Sequence, residues 1–207
     1  MLWILFLMLV VLGGGAVVGI AVNERRRAAL PGGRRAALPP GGGPLLERTL
    51  RDLRIHDVVT MDGNDYLCEG VVSYDEDGHR WCGARLVDGA VSHWLIVGIE
   101  RTGATTPRLC AIDSMSVSGY PPEAMVVGEL RYTLDKRGTA TCKLAGDVGD
   151  LGGLKKDRPE NHVERCRWWL YSAPGDDSMI IEQWGEDYRV LRGKKIDGST
   201  IDLIPGS

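Results

Sequence analysis

The sequence predicts an all-β domain, an antiparallel meander or a barrel-like fold, preceded by one N-terminal transmembrane helix. Two observations predict the sheet: short runs rich in β-branched and aromatic residues recur after residue 55, and acidic or glycine-containing turns separate them. A third observation predicts the helix: residues 1–22 contain no charged side chain, and three consecutive arginines begin at Arg25.

The apolar segment of residues 1–22 is long enough to cross a membrane. At about 1.5 Å per residue it extends about 33 Å as a helix, and a hydrocarbon core is about 30 Å thick. A secretory signal peptide would carry a basic residue before a shorter apolar run, whereas here the basic residues follow a long run. The positive-inside rule therefore predicts a single-pass protein of the cell membrane, with its N-terminus outside and residues 23–207 in the cytoplasm.

Residues in and beside this span predict contacts with lipid and with a second span. Trp3 lies near one end, where an indole suits the membrane interface. Gly15 and Gly19 form a Gly-x-x-x-Gly pair, which allows two helices to approach closely as a homodimer, although a glycine-rich span also contains such pairs by chance. The arginines predicted to lie at an anionic leaflet are Arg25, Arg26, Arg27, Arg34 and Arg35.

Residues 23–44 are predicted to be a flexible linker, and residues 45–207 a cytoplasmic β-rich domain. The linker repeats the sequence Arg-Arg-Ala-Ala-Leu-Pro at residues 26–31 and 34–39, and its proline and glycine content prevents a stable helix. From residue 55 onward acidic side chains outnumber basic ones. Nucleic-acid binding is therefore not expected of the domain, because it usually needs a basic face.

About ten short strands are predicted in this domain, after an amphipathic helix at residues 44–53. The Asp-Gly pairs at residues 77–78 and 88–89 predict hairpins, and a further turn is predicted at residues 135–138. The main predicted strands are residues 66–74, 80–87, 91–99, 125–134, 139–145, 166–172, 179–184, 188–191 and 200–204.

A weak internal repeat predicts two related small lobes, at about residues 54–120 and 121–207. Arg80-Trp81 is followed by the turn Asp88-Gly89 and a β-branched run, and Arg167-Trp168 is followed by Gly175-Asp176 and a second such run.

The candidate chemical groups do not form a recognisable catalytic or metal-binding motif. Zinc sites usually contain paired Cys-x-x-Cys ligands, and the nearest patterns here are His79-x-x-Cys82 and His162-x-x-x-Cys166. Catalysis by a cysteine would need a base beside the thiolate and a site for an oxyanion, which no motif supports. We therefore predict no catalytic residue, metal or cofactor, and free thiols at Cys68, Cys82, Cys110, Cys142 and Cys166.

Trp168 and Trp169 are the candidate interaction patch. Side chains alternate along a strand, so two adjacent tryptophans point to opposite faces. One of them therefore faces away from the local core, where it either packs against the other lobe or forms an exposed binding surface.

Segments spread over residues 55–205 resemble the bacterial family called domain of unknown function 4178. The resemblance depends on Tyr74-Asp75-Glu76-Asp77-Gly78 with Arg80-Trp81, on Trp94-Leu95, on Gly138-Thr139-Ala140, on Ile181-Glu182-Gln183-Trp184-Gly185, and on the closing Ile204-Pro205-Gly206-Ser207. Members usually carry an acidic residue shortly after the first tryptophan, where this chain has Cys82-Gly83. The resemblance implies a mostly β fold and a membrane-associated accessory role, near membrane-stress or polyamine-related proteins.

The sequence thus favours a non-enzymatic, membrane-anchored interaction module. Its expected partners are membrane lipid and a membrane-associated protein. The alternative is an enzyme or a small-ligand-binding protein that holds a cationic, polyamine-like ligand in a cleft between the two lobes.

Overall fold

The computed structural model describes residues 48–101, 105–149 and 163–206. These residues form eleven strands, all paired antiparallel, and two 3-10 turns, at Leu50–Asp52 and Gly198–Thr200. The predicted all-β antiparallel class is confirmed. Within the described ranges, no helix has the length and hydrophobicity needed to span a membrane. The predicted span, with Trp3, Gly15 and Gly19, and the arginines that follow it lie outside the described residues.

The strands account for most of the described residues. In chain order they are β1 (Val58–Met61), β2 (Asn64–Glu76), β3 (His79–Asp88), β4 (Val91–Val97), β5 (Arg108–Asp113), β6 (Ala124–Val127), β7 (Leu130–Gly146), β8 (Val163–Ser172), β9 (Asp177–Trp184), β10 (Asp187–Lys195) and β11 (Ile201–Ile204).

Eight of the strands close into a barrel. Strands β2 to β5 form one four-stranded meander and β7 to β10 form another, and the two are joined where β5 pairs with β10 and where β2 pairs with β7. Strands β1 and β11 extend the sheet beyond β2, and β6 extends it beyond β7. An eight-stranded barrel has an interior just wide enough for its own side chains to fill.

The two halves of the chain form one barrel rather than separate lobes. Residues 54–120 supply the first meander and residues 121–207 the second, but the two joining pairs of strands make them a single sheet. The sequence repeat has a structural counterpart, because Trp81 on β3 and Trp168 on β8 occupy equivalent strands of the two meanders. Their rings meet edge to face inside the barrel, with centroids 5.4 Å apart.

The observed turns confirm one prediction and correct another. Asp77 and Gly78 connect β2 to β3 with φ of 51° and 84°, the left-handed conformation that such a tight turn requires. The turn predicted at residues 135–138 is wrong, because β7 continues through them with a bulge after Leu134 while it pairs with β8. The chain turns earlier instead, at Gly128.

Other elements differ from the prediction because they are short. Strands β1 and β5 have four and six residues, and the sequence pattern does not single them out. The amphipathic helix predicted for residues 44–53 is a 3-10 turn at Leu50–Asp52 within its described part.

Buried apolar residues form three clusters, one inside the barrel and two outside it. The interior cluster contains the side chains of Trp81, Trp94, Trp168 and Trp184. The second lies on the outer face of the first meander, beneath residues of β1 and β11. The third lies on the outer face of the second meander, beneath β6 and the segment before it.

Candidate functional site

The barrel interior contains a buried ion pair between Glu182 and Arg189. Glu182 lies on β9 and Arg189 on β10, directly opposite each other in the hairpin register. Their residues are 2% and 6% exposed, so both charges are withdrawn from water. The Nε atom of Arg189 donates to Glu182 Oε2 at 2.9 Å, and Nη2 of the same guanidinium forms a second, shorter bond to that oxygen.

Two aromatic side chains complete the hydrogen bonding of Glu182. The hydroxyl of Tyr74, on β2, donates to Glu182 Oε1 at 2.6 Å. The indole Nε1 of Trp184 donates to Glu182 Oε2 at 3.1 Å. The carboxylate therefore accepts bonds from three side chains on three strands of both meanders. We call Tyr74, Glu182, Trp184 and Arg189 the interior network.

Trp94 covers the guanidinium of Arg189. The Cζ atom of Arg189 lies 4.0 Å from the centroid of the Trp94 ring, which is the geometry of a cation–π contact. Nη1 of Arg189 is buried without a hydrogen-bond partner in the protein. The charge on Arg189 is therefore balanced by one carboxylate and one aromatic face.

The environment sets the protonation of the network. Burial and the negative charge of Glu182 raise the pKa of Tyr74 well above its ordinary value, so the phenol stays a protonated donor. Burial alone would lower the pKa of Arg189, but Glu182 and Tyr74 more than offset it and raise that pKa. Apart from Nη1 of Arg189, the side-chain polar atoms of the network are hydrogen-bonded within it.

A second buried arginine lies in the same sheet. Arg108, on β5, is fully buried, and its Nε donates to Ser178 Oγ at 2.9 Å. Its Nη2 donates to Glu100 Oε1 at 2.5 Å. Arg108 therefore links the first meander to β9 of the second.

The five cysteines are buried free thiols. Burial raises the pKa of Cys68, Cys82 and Cys110 to about 12. Since the thiolate is the nucleophile, thiols held in the protonated form react slowly. These thiols act as small packing groups at neutral pH.

The histidines and cysteines of the two patterns nearest to a zinc site do not come together. Cys82 belongs to the outer cluster of the first meander, whereas Cys166 belongs to the interior cluster, on the other side of the sheet. His79 lies 3.4 Å from the Ile99 carbonyl oxygen, and His162 is outside the described residues. Among the described residues, no group of three or more His, Cys, Asp or Glu is arranged to hold a metal ion.

Trp168 and Trp169 point to opposite faces of β8, as the alternation of side chains predicts, and neither forms an exposed patch. They are 3% and 2% exposed. Trp168 fills the barrel interior, and Trp169 packs in the outer cluster of the second meander. The ring of Tyr120 covers Trp169 edge to face at 5.5 Å, from a segment whose position the strand pattern does not predict.

A polar groove of about 820 Å³ lies around the β2–β3 hairpin, and Tyr74 and Trp81 of the interior cluster also line it. One of its walls contains Asp75, Glu76 and Asp77. Arg80 pairs with Asp75 at 2.9 Å, and Arg101 pairs with Glu76 at 3.1 Å. Asp75 and Glu76 are therefore engaged within the protein.

Glu76 also contacts β7. Its Oε1 accepts a hydrogen bond from the backbone N–H of Thr139 at 3.0 Å. A Cβ atom on Gly138 would overlap that same oxygen, so a larger residue there would displace the flexible carboxylate. This contact fixes the position of the hairpin tip beside β7.

The opposite wall of the groove is basic. It contains Lys143 on β7 and Arg165 on β8, and Arg167 lines an adjoining depression. All three side chains are exposed on the outer face of the barrel. We call Lys143, Arg165 and Arg167 the basic strip.

Sequence reasoning missed both of these features, although each leaves a signal. Glu182 is a single acid within the apolar run of β9, which indicates a buried partner. Thr139, Thr141 and Lys143 alternate with buried residues along β7, which indicates a solvent-facing row.

Comparison with known proteins agrees with the proposed resemblance. The family model for a domain of unknown function, DUF4178, matches residues 54–198. No curated protein and no solved structure matches the chain. The segments that carry the resemblance supply Tyr74, Glu182 and Trp184 of the interior network. The matched residues include all eight strands of the barrel, and the chain belongs to the DUF4178 family.

Proposed function

We propose that this chain is a membrane-anchored accessory module, which presents its barrel at the cytoplasmic face of the cell membrane and binds a membrane-associated protein there. Residues 1–22 supply the anchor and residues 23–44 the linker. Confinement to the membrane raises the effective concentration of the barrel near such a partner. A membrane-stress or polyamine-related system is the proposed setting.

The observation that carries this proposal is the self-sufficiency of the barrel interior. The space between the two meanders is occupied by the interior cluster, and Glu182 receives its hydrogen bonds from within the interior network. The described thiols are buried, and burial raises the pKa of Cys110 to about 12. Binding of a partner is therefore expected on the outer surface, which favours a binding role over a catalytic one.

Fractionation of cells that produce the full chain tests the proposal. We expect the intact polypeptide in the membrane pellet after an alkaline carbonate wash, and we expect the barrel to resist protease added outside intact cells. Recovery of a shortened chain in the soluble fraction, or digestion of the barrel from outside, would overturn it.

The groove supports a second candidate, a protein that binds a small cationic ligand such as a polyamine. Its acidic wall is the supporting feature. The pairing of Asp75 with Arg80 and of Glu76 with Arg101 counts against it, because a ligand would have to compete with those arginines. Titration of the full chain with spermidine separates the two candidates, since saturable heat supports the ligand-binding protein and its absence, with a co-purifying membrane protein, supports the interaction module.

A further inference from the structure

The basic strip lies on a part of the second meander's outer face that the third apolar cluster does not cover. The apolar residues Trp169 and Tyr171 occupy the later half of β8 and pack in that cluster, whereas Arg165 and Arg167 occupy the earlier half and are exposed. The same strand therefore has an apolar, covered part and a basic, uncovered part.

The register places the three cations close together. Arg165 lies opposite Thr141, and Arg167 lies opposite Thr139, while Lys143 is the next outward residue along β7. Alternate residues of a strand are about 6.6 Å apart on one face, which is the separation expected between Arg165 and Arg167. Lys143 lies diagonally across from Arg165 on the neighbouring strand, at about 7–8 Å.

The strip residues lack the ion pairs that many other cations of the domain form. Arg48, Arg85 and Arg192 are examples of arginines that pair with acids of the domain. By contrast, none of the three strip residues forms an ion pair with any described residue. Lys143 interacts electrostatically with Asp75, but none of the three cations is held in an ion pair, and together they form a surface complementary to an anion.

The position of the strip favours an anionic membrane as its partner. The described part of the domain begins at Arg48, and Arg51 and Asp52 line the same groove as Lys143 and Arg165. The first described residues of the domain therefore lie near the strip. Each basic side chain near an anionic leaflet strengthens association about fivefold, so three give on the order of 100-fold.

We propose that the basic strip docks on the phosphate groups of anionic lipids and holds the barrel in one orientation on the leaflet. This inference rests on the proposed membrane anchoring. The orientation turns the far side of the barrel toward the cytoplasm, where the end of β5 is exposed at Ala111 and Ile112 and available to a protein partner.

Energy transfer from a fluorophore on the full chain, in lipid nanodiscs, tests the orientation. Because the native thiols are buried, a thiol-reactive fluorophore will label the exposed position of a Thr139→Cys variant selectively. The acceptor is a rhodamine-labelled lipid, in discs of phosphatidylcholine alone or mixed with phosphatidylglycerol. An Ile112→Cys variant is the positional control, since Ile112 on β5 is 58% exposed and four strands away round the barrel.

We expect transfer from the Thr139→Cys label to rise about twofold or more in the anionic discs, and transfer from the Ile112→Cys label to stay unchanged. Adding Arg165→Glu and Arg167→Glu should abolish the rise, whereas the charge-matched pair Arg131→Glu and Lys194→Glu should preserve it. Equal transfer in both kinds of disc, or an equal rise at both labelled positions, would overturn the inference.

Failure of the proposed membrane anchor can be distinguished from failure of the strip to bind lipid. If the full chain does not insert into the discs, the proposed anchoring is wrong, and sedimentation with phosphatidylglycerol vesicles then tests the strip by itself. Binding that is lost in the Arg165→Glu/Arg167→Glu variant supports the lipid surface as partner. Equal sedimentation of the variant and the unaltered chain, or no sedimentation of either, contradicts it.

Discussion

Charged side chains in the barrel interior are buried and paired, whereas those of the basic strip are exposed and form no ion pair with a described residue. Inside, Glu182 and Arg189 are withdrawn from water and bound to each other and to aromatic neighbours. Outside, Lys143, Arg165 and Arg167 are exposed and have no ionic partner among the described residues. The two sets of side chains lie on neighbouring strands of one sheet and point to its opposite faces.

The residues of the interior network specify the fold, whereas the residues of the basic strip are available to a partner. A buried ion pair adds little net stability over an apolar pair, but removal of one member leaves an unbalanced charge in the core. An exposed cation is solvated and costs almost nothing to change. Substitutions inside the barrel should therefore alter stability, and substitutions on the strip should alter binding.

Alkaline pH is expected to give the largest change in the free energy of unfolding, because thiols deprotonate more readily in the unfolded chain than in the buried sites. Burial raises the pKa of Cys82 and Cys110 from the ordinary 9.0 to about 12. A raised folded-state pKa contributes stability that is complete below pH 9.0 and is lost as the pH rises toward 12. The loss is on the order of 4 kcal/mol per thiol. Urea unfolding across this range measures it, and a Cys110→Ala variant should have a shallower dependence on pH. A free energy of unfolding that stays constant over the range would contradict the account.

Glu182→Leu is expected to destabilise the domain by about 3–5 kcal/mol, because it leaves the Arg189 charge buried without its carboxylate. The double variant Glu182→Leu/Arg189→Leu should recover most of that loss, since it removes both charges. Urea unfolding monitored by tryptophan fluorescence measures all three proteins. An equal or larger loss in the double variant would mean that packing, rather than the stranded charge, determines the cost.

Tyr74→Phe is expected to cost about 1–3 kcal/mol, since it deletes the hydrogen bond to Glu182 and keeps the ring. The ring of Tyr74 stacks on Trp81 with centroids 5.0 Å apart, and phenylalanine preserves this contact. Tyr66→Phe is the matched control, because Tyr66 lies outside the interior network. A cost at Tyr74 no larger than the cost at Tyr66 would show that the hydroxyl contributes little.

Arg165→Glu together with Arg167→Glu is expected to change the free energy of unfolding by less than about 0.5 kcal/mol, because the strip side chains are solvated. Thermal unfolding followed by circular dichroism measures this small effect. A loss of several kcal/mol would place the two arginines among the residues that hold the barrel together.

Local patterns predicted the strand class and the tight turns, but not the contacts between distant segments. The Asp77-Gly78 hairpin follows from two adjacent residues that tolerate positive φ. The supposed turn at residues 135–138 has turn-like composition, yet long-range pairing of β7 with β8 keeps it extended. The composition of a segment does not determine which strand will pair with it.

The candidate site was predicted less completely for the same reason. The alternation of side chains correctly placed Trp168 and Trp169 on opposite faces. The burial of Trp169 depends on Tyr120, which reaches it from a loop with no regular period. The interior network likewise unites β2, β9 and β10, strands that only closure of the barrel brings together.

The most direct test of the contrast measures stability and lipid proximity together in the Arg165→Glu/Arg167→Glu variant of the labelled full chain. We predict an unfolding temperature close to that of the unaltered chain and loss of the rise in energy transfer caused by anionic lipid. A variant that keeps the full rise in transfer, or one that unfolds at a much lower temperature, would contradict the division between a self-contained interior and a binding surface outside.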